Sequence, residues 1–98
     1  MKDNIVGIEK MKCLMNLYSE FPINVRFYKE SGVIRDMKCT LDERIEESNV
    51  ALVLDHEKHL AYRRFKLNNV IHFVVDDRKF YSKRYYWLEK LRRQIQGE

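Results

Sequence analysis

The chain is poor in the residues that punctuate or cross-link a fold. Its 98 residues include one proline, three glycines and two cysteines. Three scattered glycines, Gly7, Gly32 and Gly97, cannot form the glycine-rich loop that cradles a phosphate. Cys13 and Cys39 lack metal-ligand spacing and sit in apolar contexts. They read as two buried thiols in a reducing cytoplasm, with a disulfide as the alternative. The serines are Ser19, Ser31, Ser48 and Ser82, and none lies in a nucleophile-elbow context. No apolar run approaches the roughly 18 residues of a membrane span. No signal peptide is expected, because no N-terminal apolar stretch leads into a small-residue cleavage site. Repeats and low-complexity linkers are also missing. These absences argue against an enzyme, a membrane-spanning protein and a cofactor carrier.

What is present is charge, unevenly spread. Hydrophobic residues make up 45% and charged residues 35%, the balance of one soluble globular domain with a modest core and no room for a deep active-site cleft. The net charge of +4 conceals a split. Residues 30–57 carry three cations and eight anions, whereas residues 58–98 carry eleven cations and four anions. Such a field steers an anionic partner to one side, unless the basic half is only a solvated helix.

Periodicity predicts a helix over residues 4–20, with Ile8, Met11, Met15 and Tyr18 on one face, Asp3 as N-cap and Pro22 closing it. Ile23, Val25 and Phe27 alternate with polar residues as a strand. Gly32 supplies a turn, and Val33 to Leu41 return. Residues 42–49 are polar and acidic and read as a loop or a single helical turn. Val50 to Asp55, Leu60 to Leu67 and Val70 to Val75 complete five strands, and Asp76-Asp77 ends the last. Residues 80–96 read as a second helix with Gly97 as its C-cap. Five short strands in meander order predict a small five-stranded SH3-like or Sm-like barrel with a helix at each end.

Within residues 23–73 a family likeness emerges. Phe27-x-Lys29-x-Ser31-Gly32-x-x-Arg35-x-Met37-x-Cys39-Thr40-Leu41, then Val53-Leu54-Asp55, Tyr62-Arg63-Arg64-Phe65-Lys66-Leu67 and Val70-Ile71, resembles the WYL-like SH3-fold family of small tailed-phage proteins. Tyr62 stands where that family usually has tryptophan, and Arg64 where it usually has a small polar residue. The resemblance implies an SH3-like barrel and a phage setting, in the cytoplasm of an infected bacterial host. Larger cousins sense ligands or nucleic acids in regulators and defence systems, which implies interference with a host defence or regulatory system.

The run from Leu60 to Leu67 also suggests a binding surface. Parity puts Phe65 and Leu67 in the core and Tyr62, Arg64 and Lys66 together outside, where a ring stacks on a base and cations hold phosphates. In the competing reading Tyr62 packs under a helix and the cations only solubilise. Arg63 has core parity and would sit at the barrel rim or pair with Asp55. Lys83, Arg84, Arg92 and Arg93, interleaved with Tyr85, Tyr86 and Trp87, extend a basic track for RNA or single strands. Trp87, Leu88, Leu91 and Ile95 would dock the second helix on the barrel or on a second subunit, making a homodimer. Docking of the chain on a host protein without nucleic acid is the alternative function. The acidic segment beside a cationic half suggests head-to-tail self-association, docking on a basic host protein or, weakest, nucleic-acid mimicry. His56, Glu57 and His59 share a tight turn but lack the helical i, i+4 spacing of a zinc site, so no metal is expected.

Overall fold

The computed structural model describes residues 4–58 and 60–96, and the side chains of all of these except Glu89, Arg93 and Gln96. Seven strands and two helices follow one another as β1 (Asn4–Val6), α1 (Ile8–Leu17), β2 (Ile23–Tyr28), β3 (Ile34–Leu41), β4 (Val50–Asp55) and β5 (Ala61–Lys66). A 3₁₀ turn (Leu67–Asn69) leads to β6 (Val70–Val75), β7 (Arg78–Ser82) and α2 (Lys83–Gln96). One mixed sheet holds them all in the order β1-β7-β6-β2-β3-β4-β5, and only the β1–β7 pair is parallel.

This corrects the expected five-stranded barrel with a helix at each end. The five predicted strands exist, and β6 pairs with β2 as closure would require. However, β5 and β6 share no ladder. The Leu67 N–H still donates to the Asn49 carbonyl at the end of the β4–β5 ladder, and the 3₁₀ turn that begins there separates β5 from β6. The sheet therefore stays open there and is extended at the other side by β7 and β1. It is nevertheless bent. Strands β2 and β5 are three spacings apart, roughly 14 Å in a flat sheet, yet Phe27 and Phe65 stack at 5.1 Å across its inner face.

Both terminal helices are shorter than expected, for local reasons. Ile5 and Val6 are β-branched and join β7 as a parallel edge strand. Gly7, with extended backbone, then starts α1. Asp3, the expected cap, and Gly97, the expected C-cap, lie outside the described residues. At the other end Asp76 and Asp77 do not lead into a helix. Both take positive φ, 52° and 59°, making a two-residue hairpin turn that pairs Val75 directly with Arg78. Gly32, at φ 88°, makes the expected β2–β3 turn.

The core lies on the inner, concave face. Val25, Phe27, Met37, Val53, Phe65 and Phe73 meet Met11 and Met15 of α1 there. Loop 42–49 is tied down as well. Ile45 is buried, its N–H donates to Asn16 Oδ1 at 2.7 Å, and its carbonyl accepts from Asn16 Nδ2 at 3.2 Å. Of the two cysteines only Cys39 is buried. Cys13 is exposed on the outer side of α1, and neither is in a disulfide. Burial, with the nearby Asp55 charge, pushes the Cys39 thiol up to about 12, so it stays protonated and unreactive.

Among the described residues one fully buried charge lies on this face. Asp55 is fully buried and accepts from the Arg35 guanidinium and from the Glu57 N–H at 2.9 Å, with Arg63 at 3.8 Å. Burial alone would raise its carboxyl. The Glu57 N–H and the Arg35 cation outweigh that and hold it below the usual carboxylate range.

Candidate nucleic-acid interface

The outer face of the sheet carries the polar halves of the same alternating strands. Its registers align Asp36, Arg26, His72 and Tyr81 in one row across β3, β2, β6 and β7. A bulge between Arg26 and Phe27 follows, opposite Ile71. Helix α2 lies over this row through Tyr85 and Tyr86. It leaves a cleft of about 400 Å³, lined by Tyr28, His72, Tyr81, Tyr85 and Tyr86, with Arg26, Lys79 and Lys90 among its walls.

The rings hold one another. Tyr28 meets Tyr85 at 5.1 Å, His72 meets Tyr81 at 6.1 Å, and Tyr81 meets Tyr86 edge-on at 5.5 Å. Three cations lean on rings: Lys79 lies 5.1 Å from the Tyr81 centroid, Lys90 5.5 Å from Trp87 and Arg84 5.3 Å from Tyr85. Arg26 is engaged by Asp36 through two bonds, at 2.7 and 3.0 Å, and its guanidinium holds the Asp36 carboxyl below the usual range. Burial lowers the His72 pKa, and Lys79 and Arg26 lower it further, so the imidazole is neutral near pH 7. Its buried Nδ1 has no hydrogen-bond partner among the described residues. Neutral histidine offers one donor and one acceptor. The cleft therefore combines π-faces, a neutral polar edge and cations whose rims reach solvent.

Parity places Tyr62, Arg64 and Lys66 on the solvent side of β5 and buries Phe65 and Leu67. Tyr62 is 62% exposed, so it does not pack under a helix. Arg63 reaches Asp55 from the inner side. Two contacts bring this strand towards the cleft. Lys66 pairs with Glu30 at 3.2 Å, two residues beyond Tyr28, and Arg84 donates to the Asn68 carbonyl at 3.5 Å, two residues beyond Lys66. Lys83, Arg84 and Arg92 are exposed on α2, whereas the Arg93 side chain lies outside the described ones. His56 sits beside the Thr40 hydroxyl in the β4–β5 turn, and His59 lies outside the described residues. No group of three potential metal ligands occurs among the described residues.

Helix α2 docks differently from expectation. Trp87, Leu88, Leu91 and Ile95 do not face the sheet. They are all exposed, and the tyrosine side of the helix turns inward instead. The outer sheet face presents Arg26, His72 and Lys79, which suit amphipathic phenol rings better than aliphatic ones. Comparison of the chain with protein-family models, with curated proteins and with solved structures finds no match. The likeness to the WYL-like family thus rests on the residues that carry it.

The cleft was hidden in the sequence. Tyr28, His72, Tyr81 and Tyr85 come from three strands and a helix, and only the β2–β6–β7 registers gather them. The one signal for it was the alternation of Arg78-Lys79-Phe80-Tyr81-Ser82, which marks a strand with Lys79 and Tyr81 on one face.

Proposed function

We propose that the protein binds single-stranded nucleic acid, RNA or DNA, across the outer face of its sheet. The observation that carries this reading is the cleft of four tyrosines walled by cations. Bases stack on Tyr85 and Tyr28, and Lys79, Lys90 and Arg84 take the backbone charge. Arg64 and Lys66 continue that track past the 3₁₀ turn, with Tyr62 as a further stacking ring. Open rings and long, flexible cations favour loose, sequence-tolerant binding with strong salt dependence. In the setting that the family resemblance implies, such a module acts in an infected bacterium against a host defence or regulatory system.

Polarisation titrations with a labelled single-stranded oligonucleotide, at two salt concentrations, test this. Tyr85→Ala is expected to weaken binding by roughly 5- to 150-fold, the range for loss of one stacked base. Arg64→Glu with Lys66→Glu should weaken binding and flatten the salt dependence by about 0.7 in log–log slope for each phosphate that is no longer neutralised. Binding that neither variant changes would place any nucleic acid elsewhere on the chain.

A further inference from the structure

Two surfaces on opposite faces of the sheet complement each other. On the outer side, Trp87, Leu88, Leu91 and Ile95 recur at helical spacing along α2 and are 50%, 51%, 55% and 71% exposed. Four large apolar side chains in one solvent-facing stripe mark a contact surface. Cations flank the stripe, and α2 carries five of them, Lys83, Arg84, Lys90, Arg92 and Arg93, against the single anion Glu89. A symmetric pairing of two such helices would set like charges against each other.

On the inner side, α1 and loop 42–49 border a groove of about 630 Å³. Its walls include Glu9, which pairs with Lys12 at 3.6 Å, and Leu17, Arg44, Ile45, Glu46 and Glu47, with Leu17 73% exposed, so its negative balance comes from the loop rather than from α1. Asp42 and Glu43 are exposed next to it, and no ion pair engages Asp42, Glu43, Glu46 or Glu47 among the described residues. The groove keeps its form because Asn16 clamps the Ile45 peptide.

We infer that α2 of one copy seats in the α1–loop groove of a second copy. Leu88 and Leu91 cover Leu17, and Lys83 and Arg92 meet the acidic loop, which leaves Arg84 and Lys90 to the cleft. This is an amphipathic helix laid in a groove of opposite charge. Because the two surfaces lie on opposite faces, one copy cannot satisfy its own. The association is head to tail, and each copy keeps a free helix or groove for the next.

Sedimentation velocity on nuclease-treated protein, over a wide range of concentration and salt, tests this. The mass is expected to rise with concentration beyond that of a dimer and to fall at high salt. Leu88→Glu with Leu91→Glu breaks the helix surface, and Glu46→Lys with Glu47→Lys breaks the groove surface. All four positions are exposed, so circular dichroism should be unchanged. Each variant alone is expected to be monomeric, and an equimolar mixture should form a one-to-one dimer that grows no further. A groove variant that associates like the parent chain would show symmetric helix pairing and overturn the inference. So would a parent chain that stays monomeric, whether or not it co-sediments with vesicles containing phosphatidylserine.

Discussion

The inner and outer faces of the sheet are built from the same strands and follow opposite rules. On β7, Phe80 and Tyr81 are adjacent in sequence and point to opposite sides. Phe80 stacks on Phe73 at 5.2 Å in the sealed core. Tyr81 sits half-buried in a cleft with Tyr86 and Lys79. Helix α1 closes the inner face with two methionines that fill gaps among rings and β-branched residues. Helix α2 covers the outer face with tyrosines that leave volume between them. A helix laid on a sheet thus makes a core or a site according to the side chains between the two. Apolar flexible ones fill the space, and rigid polar rings hold it open.

The adjacent pair on β7 gives the largest test of that contrast. Phe80→Ala is expected to cost about 3–5 kcal/mol in urea denaturation, through reduced transfer energy and a cavity, and to spare oligonucleotide affinity where the variant remains folded. Tyr81→Ala should cost about 1 kcal/mol and lose affinity instead. Equal stability losses for the two would break the distinction between the faces.

The buried ion pair offers the next test. Asp55→Ala leaves Arg35 without its carboxylate and is expected to cost about 2–3 kcal/mol, against a few tenths for Asp36→Ala on the exposed pair with Arg26. The Asp55 carboxyl is held below its unfolded value of about 3.9, so its contribution is present above about pH 4 and is lost as pH falls through the folded value. Acid unfolding curves of the parent chain and Asp55→Asn should converge below that range. Curves that stay parallel would remove Asp55 from the acid response.

His72 gives the smallest effect. Its folded pKa lies below its unfolded value near 6.5. Stability should therefore be flat above about pH 6.5 and decline as pH falls from there to the folded value, because the unfolded chain takes up the proton first. His72→Gln should abolish that shallow decline in thermal melts. A decline that persists in the variant would assign it to another group.

Much of the fold was legible because β2 to β6 carry their own alternation. Ile23, Val25 and Phe27 announce one buried face, and Val50 to Asp55 a strand, although β4 lies next to the edge strand rather than at the centre of the sheet. The edges were not legible. Residues 4–6 are too few to show a period, and their strand exists only because β7 lies beside them. Strand β7 was obscured because two aspartates at positive φ form a turn usually written with glycine or asparagine. Openness was beyond periodicity too, since a closed and an open sheet differ only in whether β5 finds β6. For the site, Tyr62, Arg64 and Lys66 follow from parity alone. The cleft needs registers between residues some fifty positions apart, and the outward stripe on α2 reversed the ordinary rule that the apolar side of a helix faces the sheet.

The short parallel pairing of β1 with β7 also sets an order of events. Asn4 reaches across to Lys79, 75 residues along the chain, so β1 must wait as an unpaired strand until almost everything else has been made. During synthesis α1 and the β2–β3 and β4–β5 hairpins have local partners early, while the first strand has none. The edge formed last is held by three residues. Its amides should exchange with solvent earliest among the ladders, fraying and re-forming while the rest of the sheet stays closed.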